Sequence, residues 1–216
     1  MMDPGIIAAC VFGTAALAAF ILAYHFENKR KEAIKASARI IGFRYSDWDV
    51  ADFTADLQSI PLRQQGRSNT ISLSLVGRYQ GRETALFELS YVTGSGKRRT
   101  THRYLCCAVK VGRNFPKFKL RPEGWLDAIG EKLGFDDIDI SSDPEFSKQF
   151  HLSGREAASL IQAFTPTIRR KLLELGKVEI EASGEMVVYY RKSQKIDPKN
   201  LSAILESYSQ VLRIFF

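Results

Sequence analysis

The sequence predicts an α+β protein: one N-terminal transmembrane helix, then a cytoplasmic domain of antiparallel strands, a meander plus a second hairpin, with packed helices. Three observations carry this prediction. Residues 6–24, "IIAACVFGTAALAAFILAY", hold no charged side chain. Three later runs alternate apolar and polar residues with the period of two that a half-buried strand requires. Beyond residue 121, segments with Pro near the start and Gly near the end follow one another in the manner of short helices. Composition agrees, since 216 residues at 45% hydrophobic and 25% charged suit a folded chain with a sizeable core.

The first element is the span. As a helix, the 19 residues Ile6–Tyr24 cover about 29 Å, close to the thickness of a bilayer core. A cleaved signal peptide would need a positive leader, and only the short tail 1–5, "MMDPG", precedes the run. The positive charge follows instead, at Lys29, Arg30, Lys31, Lys35 and Arg39. The positive-inside rule then puts the N-terminus outside the inner (plasma) membrane and everything after the span in the cytoplasm. Residues 25–42 read as a basic juxtamembrane helix stopped by Gly42, with Ile34, Ala38 and Ile41 on one face. Residues 43–216 form the domain, with 43–140 and 141–216 as candidate sub-lobes.

Within the domain, "DWDVADFTADLQSIPL" predicts a short helix capped by Asp47 or Asp49 and ended by Pro61. A polar loop follows at 64–69. Three strands come next. Ile71, Leu73 and Leu75 share a face of the first; Ala85, Phe87, Leu89 and Tyr91 of the second; Leu105, Cys107, Val109 and Val111 of the third. Gln80-Gly81 makes the first hairpin turn, and 92–101 makes the second. "RPEGWLDAIGEKLG" then predicts a helix. Asp143 caps another, with Pro144 at its first position. Ser153 and Glu156 suggest a capping box, with Leu152 on Ala157 as its hydrophobic staple, and Thr165, Pro166 and Gly176 bound a further helix. "KVEIEASGEMVVYYRK" reads as the second hairpin, turning at Ser183-Gly184. A last helix starts at an Asp197 cap.

Three stretches, "GRYQGRETALFELSYVTGSGK", the "FPKFKLRPEG" turn and "DDIDISSDPEFSKQFHLSG", resemble a family of uncharacterised bacterial single-pass membrane proteins. The Phe-Ser element, the Thr-Pro helix and the Gly-containing hairpin of the tail are similar to part of a broader bacterial membrane domain of unknown function. The resemblance covers roughly residues 40–192. It implies an N-terminal membrane helix and brings no catalytic residue, substrate or cofactor with it.

Several chemistries fail on spacing. "YVTGSGKRRTTHRY" has a Gly-Lys pair, but a phosphate-binding loop needs Gly where Tyr91 stands and Ser or Thr where Arg98 stands, and a helix should follow. His102 and Cys106 share a strand face, yet four residues at about 3.3 Å each separate them by roughly 13 Å, beyond hydrogen-bond reach. "DDIDISSDPE" starts like a calcium loop at Asp137, Asp139 and Ser141, then has Ser142 for the Gly and Lys148 for the closing Glu. The three cysteines, Cys10, Cys106 and Cys107, make no disulfide framework and fit a reducing compartment. No cofactor and no metal is expected.

Charge is the remaining signal. The chain has 31 Lys+Arg against 24 Asp+Glu. Between Glu88 and Glu123 every charge is positive, and from Glu123 to Glu145 acids dominate. Either the two stretches neutralise each other, or the basic one meets a partner. The candidate interaction patch is Lys97, Arg98, Arg99 and Arg103. No recognition helix or stacking motif accompanies it, which argues against nucleic acid. A straight helix through residue 41 would hold the domain about 25 Å from the bilayer, well past the reach of about 8 Å allowed by screening. The expected function is a membrane-anchored, non-catalytic interaction protein, such as an accessory or stabilising subunit of a larger membrane assembly. Its partners would be the bilayer, through residues 6–24, and a membrane protein or anionic lipid surface. The alternative is an enzyme or small-ligand module whose polar groups converge only in three dimensions, around His102 or His151.

Overall fold

The computed structural model describes residues 4–46, 54–124 and 134–216, with side chains described from residue 12 in the first stretch and from residue 57 in the second. It is α+β, with an antiparallel sheet and packed helices. The first helix, α1 (Pro4–Ile40), is continuous through the predicted span and the juxtamembrane segment. The side chains of residues 1–11, which include Cys10 and the start of the predicted span, lie outside the described residues. Among the described residues no helix is long and apolar enough to cross a membrane. The Asp47 or Asp49 cap and the body of the helix predicted over 121–134 also lie outside them.

The sheet is built from β1 (Arg44–Ser46), β2 (Arg67–Tyr79), β3 (Arg82–Thr93), β4 (Thr100–Pro122), β5 (Asp136–Asp137), β6 (Phe150–Gly154) and β7 (Glu179–Lys192). Its order is β1-β2-β3-β4-β6-β5, with β7 also paired to β4. All pairings are antiparallel. The β2–β3 turn is the predicted Gln80-Gly81, with φ of 50° and 78°. Two successive positive φ values are what a tight hairpin of this twist requires, and Gly supplies one without steric cost. β6 and β7 come from the second candidate sub-lobe and join the strands of the first in one sheet.

Both faces of the sheet are covered. On one, Leu73, Leu75, Leu86, Leu105, Cys107 and Val109 pack with Ile34 and Ala38 of α1 and with α6 (Leu201–Leu212). The same core takes in the aromatic cluster Phe118, Phe146, Phe164 and Phe215 beneath α3 (Pro144–Gln149), α4 (Ala157–Ala163) and α5 (Pro166–Leu175). On the other face, Ala85, Phe87, Leu89, Tyr91, Cys106, Val188 and Tyr190 meet Leu57, Ile60 and Leu62, from α2 (Thr54–Ser59) and the 3-10 turn Pro61–Gln64. Full cover explains why β3 and β4 are buried at consecutive positions rather than alternate ones.

Four expectations are corrected. The second hairpin does not exist: "EIEASGEMVVYYRK" is the single strand β7, paired along its length to β4. Between the pairs Lys110↔Met186 and Phe115↔Gly184, β4 advances five residues while β7 advances two. Gly184, at φ +60°, absorbs this bulge by bending the strand rather than reversing it. The "FPKFKLRPEG" segment is not a turn either, since most of it is the second half of β4, between β6 and β7. Ile71 does not share a face with Leu73 and Leu75. A register shift between Ile71 and Leu73 puts an extra residue into β2 and turns Ile71 to the opposite core. Ser153 caps no helix, because it lies in β6 with its Oγ donating to the Lys119 carbonyl oxygen, and α4 starts without a side-chain cap.

The Asp143 and Thr165 caps are present, accepting from the Phe146 and Ile168 amides. Asp197 closes a turn through the Lys199 amide, and α6 begins after it at Leu201.

Candidate functional site

The stretch Tyr91–Tyr104 is a hairpin. Thr93 pairs with Thr100, and a short 3-10 turn, Gly96–Arg98, forms its tip. Lys97, Arg98, Arg99 and Arg103 are all exposed. Among the described residues none of the four is in an ion pair. Of the acids of 134–145, Asp143 is bonded to Arg169 at 2.7 Å and Asp137 lies 3.3 Å from His151. Arg67 and Lys192 add to the same end of the sheet, since Arg67 pairs with Val92 and Lys192 with Tyr104.

The direction of α1 gives this end its meaning. Arg30 binds Glu88, which pairs with Leu73 of β2. Lys35 lies over the ring of Tyr45, whose partner is Leu75. Phe43, just past the helix, is packed so tightly on Gly77 that a Cβ there would collide with its ring. The contacts advance along β2 from 73 to 75 to 77, so α1 points its C-terminus at the Gln80-Gly81 turn. Its N-terminal half must leave the domain at the other end, beside the basic hairpin. A second path agrees. The Ser193 amide donates to the Arg103 carbonyl oxygen, and Lys195 reaches Glu27 on α1 at 3.8 Å.

Every described residue of α1 from Phe12 to Phe26 is exposed, including Phe12, Leu17, Phe20, Ile21 and Leu22, whereas Ile34 and Ala38 are wholly buried. The second half of α1 is thus part of the domain core and does not stand free of the domain, as the straight helix expected through residue 41 would.

The Cys–His reading is not assembled. Nε2 of His102 is 2.7 Å from Thr93 Oγ1, and the ring stacks on Tyr91. Cys106 is fully buried, and burial, then the nearby Glu181, pushes its thiol well above the usual range. A thiol held protonated is a poor nucleophile. Among the described residues no group of three or more His, Cys, Asp or Glu side chains is gathered that could hold a metal. A cleft of about 360 Å³ is lined by Lys35, Arg39, Phe43, Arg44 and Tyr45, and contains neither His102 nor His151.

The buried polar groups escaped the sequence reading. Glu181, fully buried, accepts from the Leu62 amide at 2.6 Å and the Tyr190 hydroxyl at 2.9 Å, with Lys119 Nζ 3.8 Å away. It ties the segment over the second face to β7. Glu88 does the same for α1. An acid at a strand position flanked by Leu86, Phe87 and Leu89 was the available signal for Glu88. For Glu181 there was none, because its face looked solvent-exposed until α2 and the following turn covered it.

Comparison with known proteins adds one likeness in fold. The crystal structure of the mycobacterial trehalose monomycolate transport factor A, TtfA, superposes with a TM-score of 0.50 and 11% sequence identity, over 85% of this chain and 90% of that chain. At that identity the likeness shows a shared fold. No family model and no curated protein matches the chain.

Proposed function

We propose that this chain is a membrane-anchored, non-catalytic interaction protein, an accessory or stabilising subunit of a larger membrane assembly. Residues 6–24 hold it in a bacterial inner membrane, with the N-terminus outside and the domain in the cytoplasm. The observation that carries the reading is the split character of α1. Its residues from Ile34 onward belong to the core, while Phe12, Leu17, Phe20, Ile21 and Leu22 project with nothing packed on them. Such a run of exposed large apolar residues needs another apolar phase around it, and a bilayer supplies one.

The test is fractionation. The full chain should stay with membranes through alkaline carbonate, and a chain lacking residues 1–26 should be released. A C-terminal reporter should be active on the cytoplasmic side. Release of the full chain by carbonate would remove the anchor, and a reporter active only outside would reverse the topology.

A further inference from the structure

We propose that the basic end of the sheet, Lys97, Arg98, Arg99 and Arg103 with Arg67 and Lys192, docks on the anionic phospholipid headgroups of the membrane that α1 enters. The inference rests on the anchor reading and adds a second, electrostatic contact to it. Geometry supports it first. Arg30 and Glu88 are in contact, and from Glu88 the strand runs five residues further to Thr93. That is about 17 Å of strand, equal to about eleven residues of helix, so the hairpin tip lies roughly level with residues 19–24 of α1. Those are the last residues of the apolar run. The tip therefore reaches the height where the helix passes from hydrocarbon to headgroups, inside the screening distance rather than beyond it.

Charge supports it second. The acids of α1 and β3 on the hairpin side, Glu27 and Glu88, are both bound to Arg30. The four hairpin cations have no ion-pair partner among the described residues. At the other end of the sheet, Lys35 is paired with Glu32, Lys110 with Glu83 and Arg213 with Glu206, while Arg78 and Arg82 donate to the Gly81 and Val111 carbonyl oxygens. The hairpin thus presents a cluster of four cations where the membrane surface would lie, and an anionic leaflet attracts each such group.

The experiment uses the full chain reconstituted in vesicles. Cys106 and Cys107 are wholly buried, so a Ser95→Cys, Cys10→Ala variant takes a fluorophore at the tip alone. A quencher is attached to a minor fraction of lipid headgroups. Vesicles are either phosphatidylcholine or a mixture with about one-third phosphatidylglycerol. A label at Gln80→Cys marks the far end. Strong quenching at position 95 in the anionic vesicles is expected, with little at position 80. It should fall to the phosphatidylcholine level in high salt, and when Lys97, Arg98, Arg99 and Arg103 are all replaced by Gln. Salt needs no substitution, so the test survives a variant that fails to fold.

An inserted protein with position 95 unquenched in both vesicles overturns the docking and leaves the anchor intact. Quenching equal in both vesicles and insensitive to salt overturns the role of charge. A chain that does not insert at all, judged by carbonate extraction of the same vesicles, overturns the anchor and this proposal together.

Discussion

Arg30 and Glu88, 58 positions apart in sequence, form a fork-on-fork pair, with Nη1 2.9 Å from Oε1 and Nη2 3.1 Å from Oε2. Arg30 also donates to Glu27 and to the Ile196 carbonyl oxygen, while the Ile196 amide donates to Glu88. One buried carboxylate thus locks α1, a central strand and the segment before α6. Burial disfavours the charge on Arg30, but the hydrogen bonds it donates to Glu88 and Glu27 outweigh this and hold the guanidinium firmly protonated. Glu88→Ala should cost about 3 kcal/mol, because it leaves Arg30 half-buried with one acid fewer and an amide unpaired. Glu88→Gln, which keeps an acceptor, should cost about 1 kcal/mol. Thermal unfolding in detergent, with limited proteolysis around residues 27–33, measures both. Equal losses would mean that an acceptor without its charge contributes nothing here.

Asp143 gives a pH-dependent test. Arg169, bonded through Nε at 2.7 Å, holds its carboxyl below the usual range against the opposing effect of burial, and the Phe146 amide adds to the lowering. A carboxylate depressed in the folded state adds stability that is complete above its unfolded value of about 4 and is lost as pH falls through the folded value. Asp143→Asn keeps the cap and should lose about 1 kcal/mol at neutral pH. The deficit against wild type should shrink as pH drops below about 4. Asp143→Ala also loses the cap and should cost about 2 kcal/mol. Melting temperatures across this range decide it.

Insertions separate a strand from a turn. Two residues added after Ser95 fall at an exposed tip and should shift the midpoint by less than about 1 kcal/mol. The same insertion after Ser183 falls within β7 and breaks its register with β4, and should cost about 3 kcal/mol or more. Gly184→Ala, at positive φ, should cost about 1 kcal/mol. Tolerance of the Ser183 insertion would restore the hairpin that the structure replaces.

The thiols offer a chemical check. Burial pushes Cys107 up to about 12 and Cys106 well above its usual value. Both should resist alkylation of the folded protein at pH about 8 and react only once it is unfolded, since the thiolate is the reactive form. Mass spectrometry of iodoacetamide-treated samples reads this directly. Rapid labelling of Cys106 in the folded state would revive a reactive role for it.

Local chemistry alone determined much of this protein. The uncharged run 6–24, the alternation of β3 and β4, the Gln80-Gly81 turn and the Asp143 and Thr165 caps are legible because each depends on residues within a few positions of one another. The same holds for the cationic hairpin. What only the tertiary structure decided depends on pairings across the chain. Whether Gly184 reverses a strand or bends it is set by the extra residues of β4 opposite. Which face Ile71 joins is set by a bulge in the β2–β3 register. The burial of Glu181 awaits cover from α2 and the turn after it. Most consequential is the Arg30–Glu88 lock. In sequence the basic hairpin and the apolar helix are separate features some seventy residues apart. The packing of α1 along β2 and β3 brings them to one end of the molecule, because the Arg30–Glu88 pair and the Phe43–Gly77 contact fix the direction in which the helix lies.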